Sequence, residues 1–374
     1  MYGVSDFREA TPIPGPDAFR ASGRDARLSQ AAIVLGAGAA VGGHWERLDS
    51  PEALGLPPEL GQIEKTGGVS LEEAVAPLEV DAKSYVSAPA RRFPSGLGAE
   101  MTQRLIDRPH AVTAAALVEV SLHSDSLLVR ASAAVAALDT AGGAQRTDVV
   151  ATLVDGADAR DPLTRQIARI GLSRVNPGHD KLAHLVGRAA ELTGTDRPSH
   201  TAVLTHGTFA AKTRWWRPGG DFYTYLDALV PPLHLHDPSF GWSGLYSDPA
   251  RQLAAQQLAA WLVDQGLQQP DLFAHSHGGT VANLATRGGA EFERLVLLSW
   301  PVHTQWFPDF TQIQRIIDIR VRLDLVIIAD RGGQTFTPPA AYRGKVTSYV
   351  NGWFDHGATN NPAYWQQHDL PAAL

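Results

Sequence analysis

The chain contains no cysteine. Disulfides, thiolate nucleophiles and cysteine-ligated metals are therefore excluded, although this alone does not fix the compartment. Charge is sparse as well: 19% of residues are charged, and the net charge is −7. Without a basic surface, nucleic acid is not an expected partner, and an acidic membrane face is not favoured either. Long hydrophobic runs are missing. The most apolar early stretch, residues 31–43 (AAIVLGAGAAVGG), falls short of the ~20 residues a membrane-spanning helix needs. It reads as a small-residue helix or turn. The start, MYGVSDFREA, has no cationic segment followed by an apolar one, so no secretory leader and no integral membrane segment are expected, and the chain is assigned to the cytoplasm.

What is present suits a soluble globular protein. There are 374 residues, 44% of them hydrophobic, enough for about two or three domains with real cores. Texture divides the chain into three. Residues 1–100 are rich in proline and glycine, with TPIPGPDAF, GLPPELG and APARRFPSGLG reading as turns and connectors. Residues 101–195 are helical in pattern. Leu128, Ala131, Val135 and Leu138 share one helical face before Gly142-Gly143 stops the run, and Pro162 opens a helix that places Leu163, Ile167 and Ile170 together. Successive short amphipathic helices of this kind resemble HEAT-like pairs, and a plain helical bundle fits them equally well.

From residue 196 to 374, strand and helix patterns alternate, which means a mostly parallel sheet flanked by helices. The expected strands are TAVLT, FGWSG, PDLFAHS and RLVLLSWPV; the expected helices are SDPARQLAAQQLAAWLVDQG, with Ala255, Leu258 and Leu262 on one face, and TVANLATRGG. The stretch PDLFAHSHGGTVA puts Ser276 at the apex of a strand–turn–helix, between Ala274 and Gly278. A serine there presents its hydroxyl above the carboxyl edge of the sheet, with a helix N-terminus behind it. Upstream, His206-Gly207 closes a strand, so the N–H groups of Thr208 and His277 are candidate donors to one oxyanion. Downstream, His356 follows the apolar run TSYVNGWF in a Gly- and Asn-rich loop and is the preferred general base over His303 and His368. For the orienting acid the sequence offers two residues. Either the alternating run from Ile317 is a strand that ends at Asp324, or LVIIA is the strand and Asp330 stands at its end; Asp324 is preferred.

These stretches resemble the α/β-hydrolase superfamily, in particular bacterial lipases and esterases. LTHGTFA, RWWRPGGDFYTYL, FGWSGLYSDPARQLAAQQL, FAHSHGGTVA, RLDLV and DHGATNNPAYW carry the resemblance. It implies an α/β-hydrolase domain over 196–374, a Ser276–Asp324–His356 triad and hydrolysis of a small-molecule or lipid carboxylic ester through an acyl-enzyme. The Asp-x-Val of RLDLV adds to the preference for Asp324. His206, His275, Trp215 and Trp216 are the candidate substrate-binding residues. No cofactor is expected. LHLHD (233–237) has the spacing of a His-x-His-x-Asp metal site, but Pro238 stands where a further ligand would continue, so no metal is expected there. Gly36-Ala37-Gly38 superficially suggests a dinucleotide loop, but no β–α–β unit surrounds it, so none is expected. Only about 48 residues separate Ser276 from Asp324, which leaves little room for an inserted cap, so the helical N-terminal part becomes the candidate cover or the surface for a protein partner. The rival expectations are a catalytically silent hydrolase fold used as a binding scaffold, and acyl transfer, lactone hydrolysis or amide hydrolysis by the same triad.

Overall fold

Fourteen glycines and prolines before residue 60 do not prevent an early helix. In the computed structural model, which describes residues 10–45, 48–64, 68–76, 93, 96–187, 201–229 and 233–374, the first long element is α1, Arg24–Val41. Then come α2 (Leu97–Asp107), α3 (Ala111–Leu122), α4 (Leu127–Ala137), α5 (Thr147–Gly156) and α6 (Pro162–Val175). The second half holds β1 (Ala202–Thr205), α7 (Asp221–Asp227), α8 (Asp248–Asp264), β2 (Asp271–His275), α9 (His277–Arg287), β3 (Phe292–Leu298), β4 (Ile313–Arg320), α10 (Leu325–Asp330), β5 (Val346–Val350) and α11 (Pro362–Gln367). Contacts divide the described chain into a helical unit, Glu9–Asn176 with Leu323–Gln334, and a sheet unit, Pro177–Arg322 with Thr335–Leu374. No helix among the described residues is long and apolar enough to cross a membrane.

In the helical unit, α1 answers the question posed by AAIVLGAGAAVGG. Gly36 and Gly38 lie inside a helix, so no dinucleotide loop exists there. A helical glycine costs about 1 kcal/mol relative to alanine; here close packing offsets that cost. A Cβ built on Gly38 would stand 2.5 Å from Cβ of Ala136 on α4. The glycine is the notch that lets two helix backbones approach. α4 is correspondingly buried around most of its circumference, from Val129 through Ala137, while Leu128 and Leu138 are only half-buried. The single apolar face expected for this helix was therefore too narrow: small residues let α4 pack on several neighbours at once. α6 follows its pattern, with Asp161 capping Thr164 N–H, Pro162 at the first position, and Leu163, Ile167 and Ile170 buried. Replacing Gly38 with leucine is expected to cost about 1–3 kcal/mol or more by overpacking. Gly36→Ala meets the flexible Leu60 and Leu56 methyl groups at 3.1 and 3.3 Å and the Trp45 ring at an ordinary contact distance of 3.6 Å, and is expected to cost far less. Urea midpoints of the two variants check this order.

The sheet unit is an α/β layer structure. Its five strands run β1-β2-β3-β4-β5 in sequence order, all parallel. Both faces are covered. Val203, Leu272, Ala274, Leu295, Leu297 and Ile316 pack with Leu258 and Trp261 of α8 and Val281 and Ala285 of α9. Their alternates Leu204, Phe273, Val296, Leu298, Ile317 and Ile319 pack with Phe222 and Leu226 of α7 and Trp365 of α11. Burial on two faces explains why the strands read as continuous apolar runs.

One expected strand, FGWSG, and the alternative strand LVIIA are absent. FGWSG forms only an isolated bridge, Phe240 to Thr205, because its backbone serves loops instead: Gly244 O accepts from Phe209 N–H and Ser243 O from Gly187 N–H. LVIIA is helix α10, capped by Asp324, and β4 stops at Arg320 rather than running to Asp324. A short, fully buried apolar run has no period with which to choose helix or strand. Asp318 and Arg320, polar positions of that alternating run, are buried as an ion pair at 2.6 Å, with Ser348 donating to the same carboxylate.

Candidate active site

Ser276 stands between β2 and α9 with φ 53° and ψ −131°. Such a backbone costs a non-glycine residue about 1–3 kcal/mol, so its surroundings must hold it there. They do: Ser276 N–H donates to Leu298 O of β3 at 2.8 Å, and Ser276 O accepts from Gly279 N–H at 2.9 Å. The residue is 8% exposed.

The segment after β1 closes on this bend. A Cβ added to Gly207 would lie 2.6 Å from Ser276 Cβ and 3.3 Å from its Oγ, and one added to Gly278 would lie 2.7 Å from His206 O. The glycine requirement at 278 therefore comes from the segment that follows β1. That loop is clamped from both sides. Trp242 Nε1–H donates to His206 O at 2.7 Å, and Phe209, itself at φ 59°, donates to Gly244 O at 2.9 Å. Thr208 N–H donates to no group among the described residues, and its buried Oγ1 has no partner. His277 is the first residue of α9, so its N–H belongs to the turn that lacks acceptors inside the helix.

The late histidine arrives at the same edge. His275 Nε2 lies 3.1 Å from the carbonyl oxygen of His356, and the two rings meet edge-on at 4.8 Å. Because His275 immediately precedes Ser276, this bond brings the His356 loop to the bend. Further along, Thr359 Oγ1 donates to Ser299 Oγ at 3.1 Å, just past the end of β3, where Ser299 also has a positive φ of 48°.

His206 and His275 were expected to touch substrate. Both rings are instead anchored to backbone. His206 is wholly buried, with Nδ1 2.8 Å from Gly207 O and Nε2 3.1 Å from Trp242 O, beside the rings of Trp216 and Trp242. Burial pushes its imidazole down to about 4, against a smaller opposing effect of the two carbonyls. Burial, and then the charge of His356, pushes His275 down to about 3. Donation to His356 O requires a proton on Nε2, so the neutral ring that burial favours is the Nε2–H tautomer, and its Nδ1 has no partner. We read both as positioning residues. Trp216 is a buried anchor whose Nε1–H donates to Ala210 O. Trp215 stays half-exposed against His275 at 5.5 Å.

Asp324 lies in the stretch that clusters with the helical unit. It is fully buried, its Oδ1 accepts from Val326 and Ile327 N–H at 3.0 and 3.1 Å, and Gln334 brackets its backbone through both amide atoms. Asp330 is the last residue of α10. His303 stacks on His277 at 6.2 Å. His236 of LHLHD is committed to Gln265 at 3.0 Å.

No protein-family model matches the chain, and no curated protein matches it.

Arg251 went unnoticed in the sequence. Its guanidinium is 3% exposed, bonds Asp248 at 2.6 Å and His277 Nε2 at 3.1 Å, and lies over the rings of Tyr246 and Trp306. A guanidinium only donates, so His277 keeps its proton on Nδ1, 3.1 Å from Thr280 Oγ1. The signal was available: Arg251 sits one turn before Ala255 on the apolar face of α8, where a charge is out of place.

Proposed function

We propose that the protein is a serine hydrolase of carboxylic esters, built on an α/β-hydrolase fold. The observation that carries this reading is the strained bend at Ser276, gripped between a parallel strand and a helix N-terminus, with the Gly207 loop pressed on its side chain. Ser276 Oγ attacks the acyl carbonyl while His356 accepts the hydroxyl proton. The Thr208 and His277 N–H groups bind the resulting oxyanion, each worth about 10²–10³ in rate. His356 then protonates the departing alcohol, and water, deprotonated by the same imidazole, releases the acid from Ser276. The orienting carboxylate is assigned to Asp324 on chain order alone, Ser…Asp…His.

Labelling with a fluorophosphonate tests the reading. The unaltered chain is expected to react, Ser276→Ala to be unreactive, and His356→Ala to slow by on the order of 10³-fold. A silent unaltered chain favours a binding scaffold, and undiminished labelling of Ser276→Ala rejects this serine. Asp324→Asn is expected to slow labelling strongly and Asp330→Asn to leave it nearly unchanged; the reverse result reassigns the acid.

A further inference from the structure

We infer that Arg251 is a positioning residue for the oxyanion site: acting through the His277 imidazole, it keeps the His277 backbone N–H aimed at the charge that develops on the substrate oxygen. The inference rests on the hydrolase reading of Ser276. Arg251 is the fourth residue of α8 and is 3% exposed. A guanidinium is costly there on two counts. Its charge is withdrawn from water, and a cation near the start of a helix opposes the helix dipole.

Asp248, the first residue of α8, offsets part of that cost with a carboxylate oxygen 2.6 Å from Arg251 Nη1, but its side chain is 59% exposed, where water screens the pair. The Tyr246 and Trp306 rings offset more, lying 4.8 and 4.9 Å from the guanidinium carbon. Nε still has no acceptor. An unbranched apolar side chain would fill the same space without an orphaned donor or a buried charge, so packing does not account for an arginine. What an apolar side chain lacks is the N–H that Arg251 Nη2 donates to His277 Nε2 at 3.1 Å.

That bond completes the hold on the ring. His277 is 1% exposed, and its Nδ1–H donates to Thr280 Oγ1 at 3.1 Å, one turn along α9. The same hydroxyl oxygen accepts from Trp300 Nε1–H at 3.1 Å, just past β3. The opposite tautomer would set two N–H donors, imidazole and guanidinium, against each other. The ring is thus fixed at both nitrogens, to α8 on one side and within α9 on the other. His277 begins α9, and its backbone N–H lies outside the helix's own ladder. The direction of that N–H is therefore set by how the helix start is held, and the imidazole is the part of that start tied to a second helix.

A double-mutant cycle on the full chain tests this, read as the rate of fluorophosphonate labelling. Arg251→Met is expected to slow labelling at least tenfold. His277→Ala keeps the backbone N–H, removes the ring and is expected to slow it by a similar factor. Adding Arg251→Met to His277→Ala is expected to cost no more than about twofold further, because the arginine acts through the ring. Two effects that multiply in the double variant overturn the inference, as does an Arg251→Met chain that labels at the normal rate. Nitrogen NMR of isotope-labelled histidine reads the ring directly: the Nδ1–H tautomer is expected at His277 in the unaltered chain and its loss in Arg251→Met, and an unchanged His277 signal overturns the inference. Arg251→Lys keeps a cationic donor and is expected to retain the Nδ1–H tautomer and to label faster than Arg251→Met; a lysine variant that matches the methionine one overturns it too. An unaltered chain that does not label refutes the hydrolase reading and this inference with it, whereas a labelling chain with multiplying effects refutes this inference alone.

Discussion

Gly207→Val is expected to abolish fluorophosphonate labelling while leaving most of the protein folded. The first atom of any side chain at 207 would overlap Ser276 Cβ at 2.6 Å and His275 O at 2.9 Å. Neither neighbour is the loose end of a side chain. Ser276 is pinned through its N–H to β3 and through its carbonyl to α9, so the 206–208 loop must move away and take Thr208 N–H with it. A donor displaced by 1 Å already costs about 10²-fold in a positioned reaction. Losing both the donor and the serine's backbone geometry is expected to exceed 10³-fold. Gly207→Ala meets the same overlap with less bulk and should fall between. The check is labelling rate beside far-ultraviolet circular dichroism and the urea midpoint; a Gly207→Val chain that labels at the normal rate would show that this loop takes no part in the chemistry.

The second large effect is acid instability. His206 is held at about 4 and His275 at about 3, both by burial, against about 6.5 in an unfolded chain. Between those limits the unfolded state holds the additional protons. Stability is therefore fully present above pH 6.5 and is lost as pH falls toward 4, by about 1.4 kcal/mol per pH unit for each imidazole. Over that window the two together remove on the order of 6 kcal/mol, a large part of a typical total of about 5–15 kcal/mol. Urea midpoints from pH 7.5 to 4.5 measure it. Removing one titrating group, as in His206→Gln, should roughly halve the slope even though that variant starts less stable. A profile that is flat down to pH 4.5 would mean that neither ring is buried in its neutral form.

Much of the sheet unit was legible because its signals are local. An apolar run, a small-residue turn and an amphipathic helix follow one another from Asp271 to Arg287, and β2 and α9 lie there. The late loop bearing His356 could be placed because it follows the last strand. What was not legible depended on partners distant in sequence. α10 is six consecutive buried residues, which carry no period, and its helical state is set by the Asp324 cap and by its packing on α1 and α6. The anchoring of His206 and His275 was hidden for the same reason: a histidine beside a reactive serine looks like a ligand contact until the carbonyls of Trp242 and His356 are found on its nitrogens. Arg251 shows the reverse case, where a misplaced charge in a helical pattern was visible and was passed over.

The excursion of Leu323–Gln334 into the helical unit has a genetic consequence. A stop or start codon placed near residue 196 would part α10 from the helices that cover it and leave LVIIAD, buried along its whole length, facing water. The two halves of the gene are therefore not interchangeable cassettes. Recombination that swapped one of them for a foreign counterpart would have to preserve the surface that receives α10, and so the two parts are expected to be inherited together.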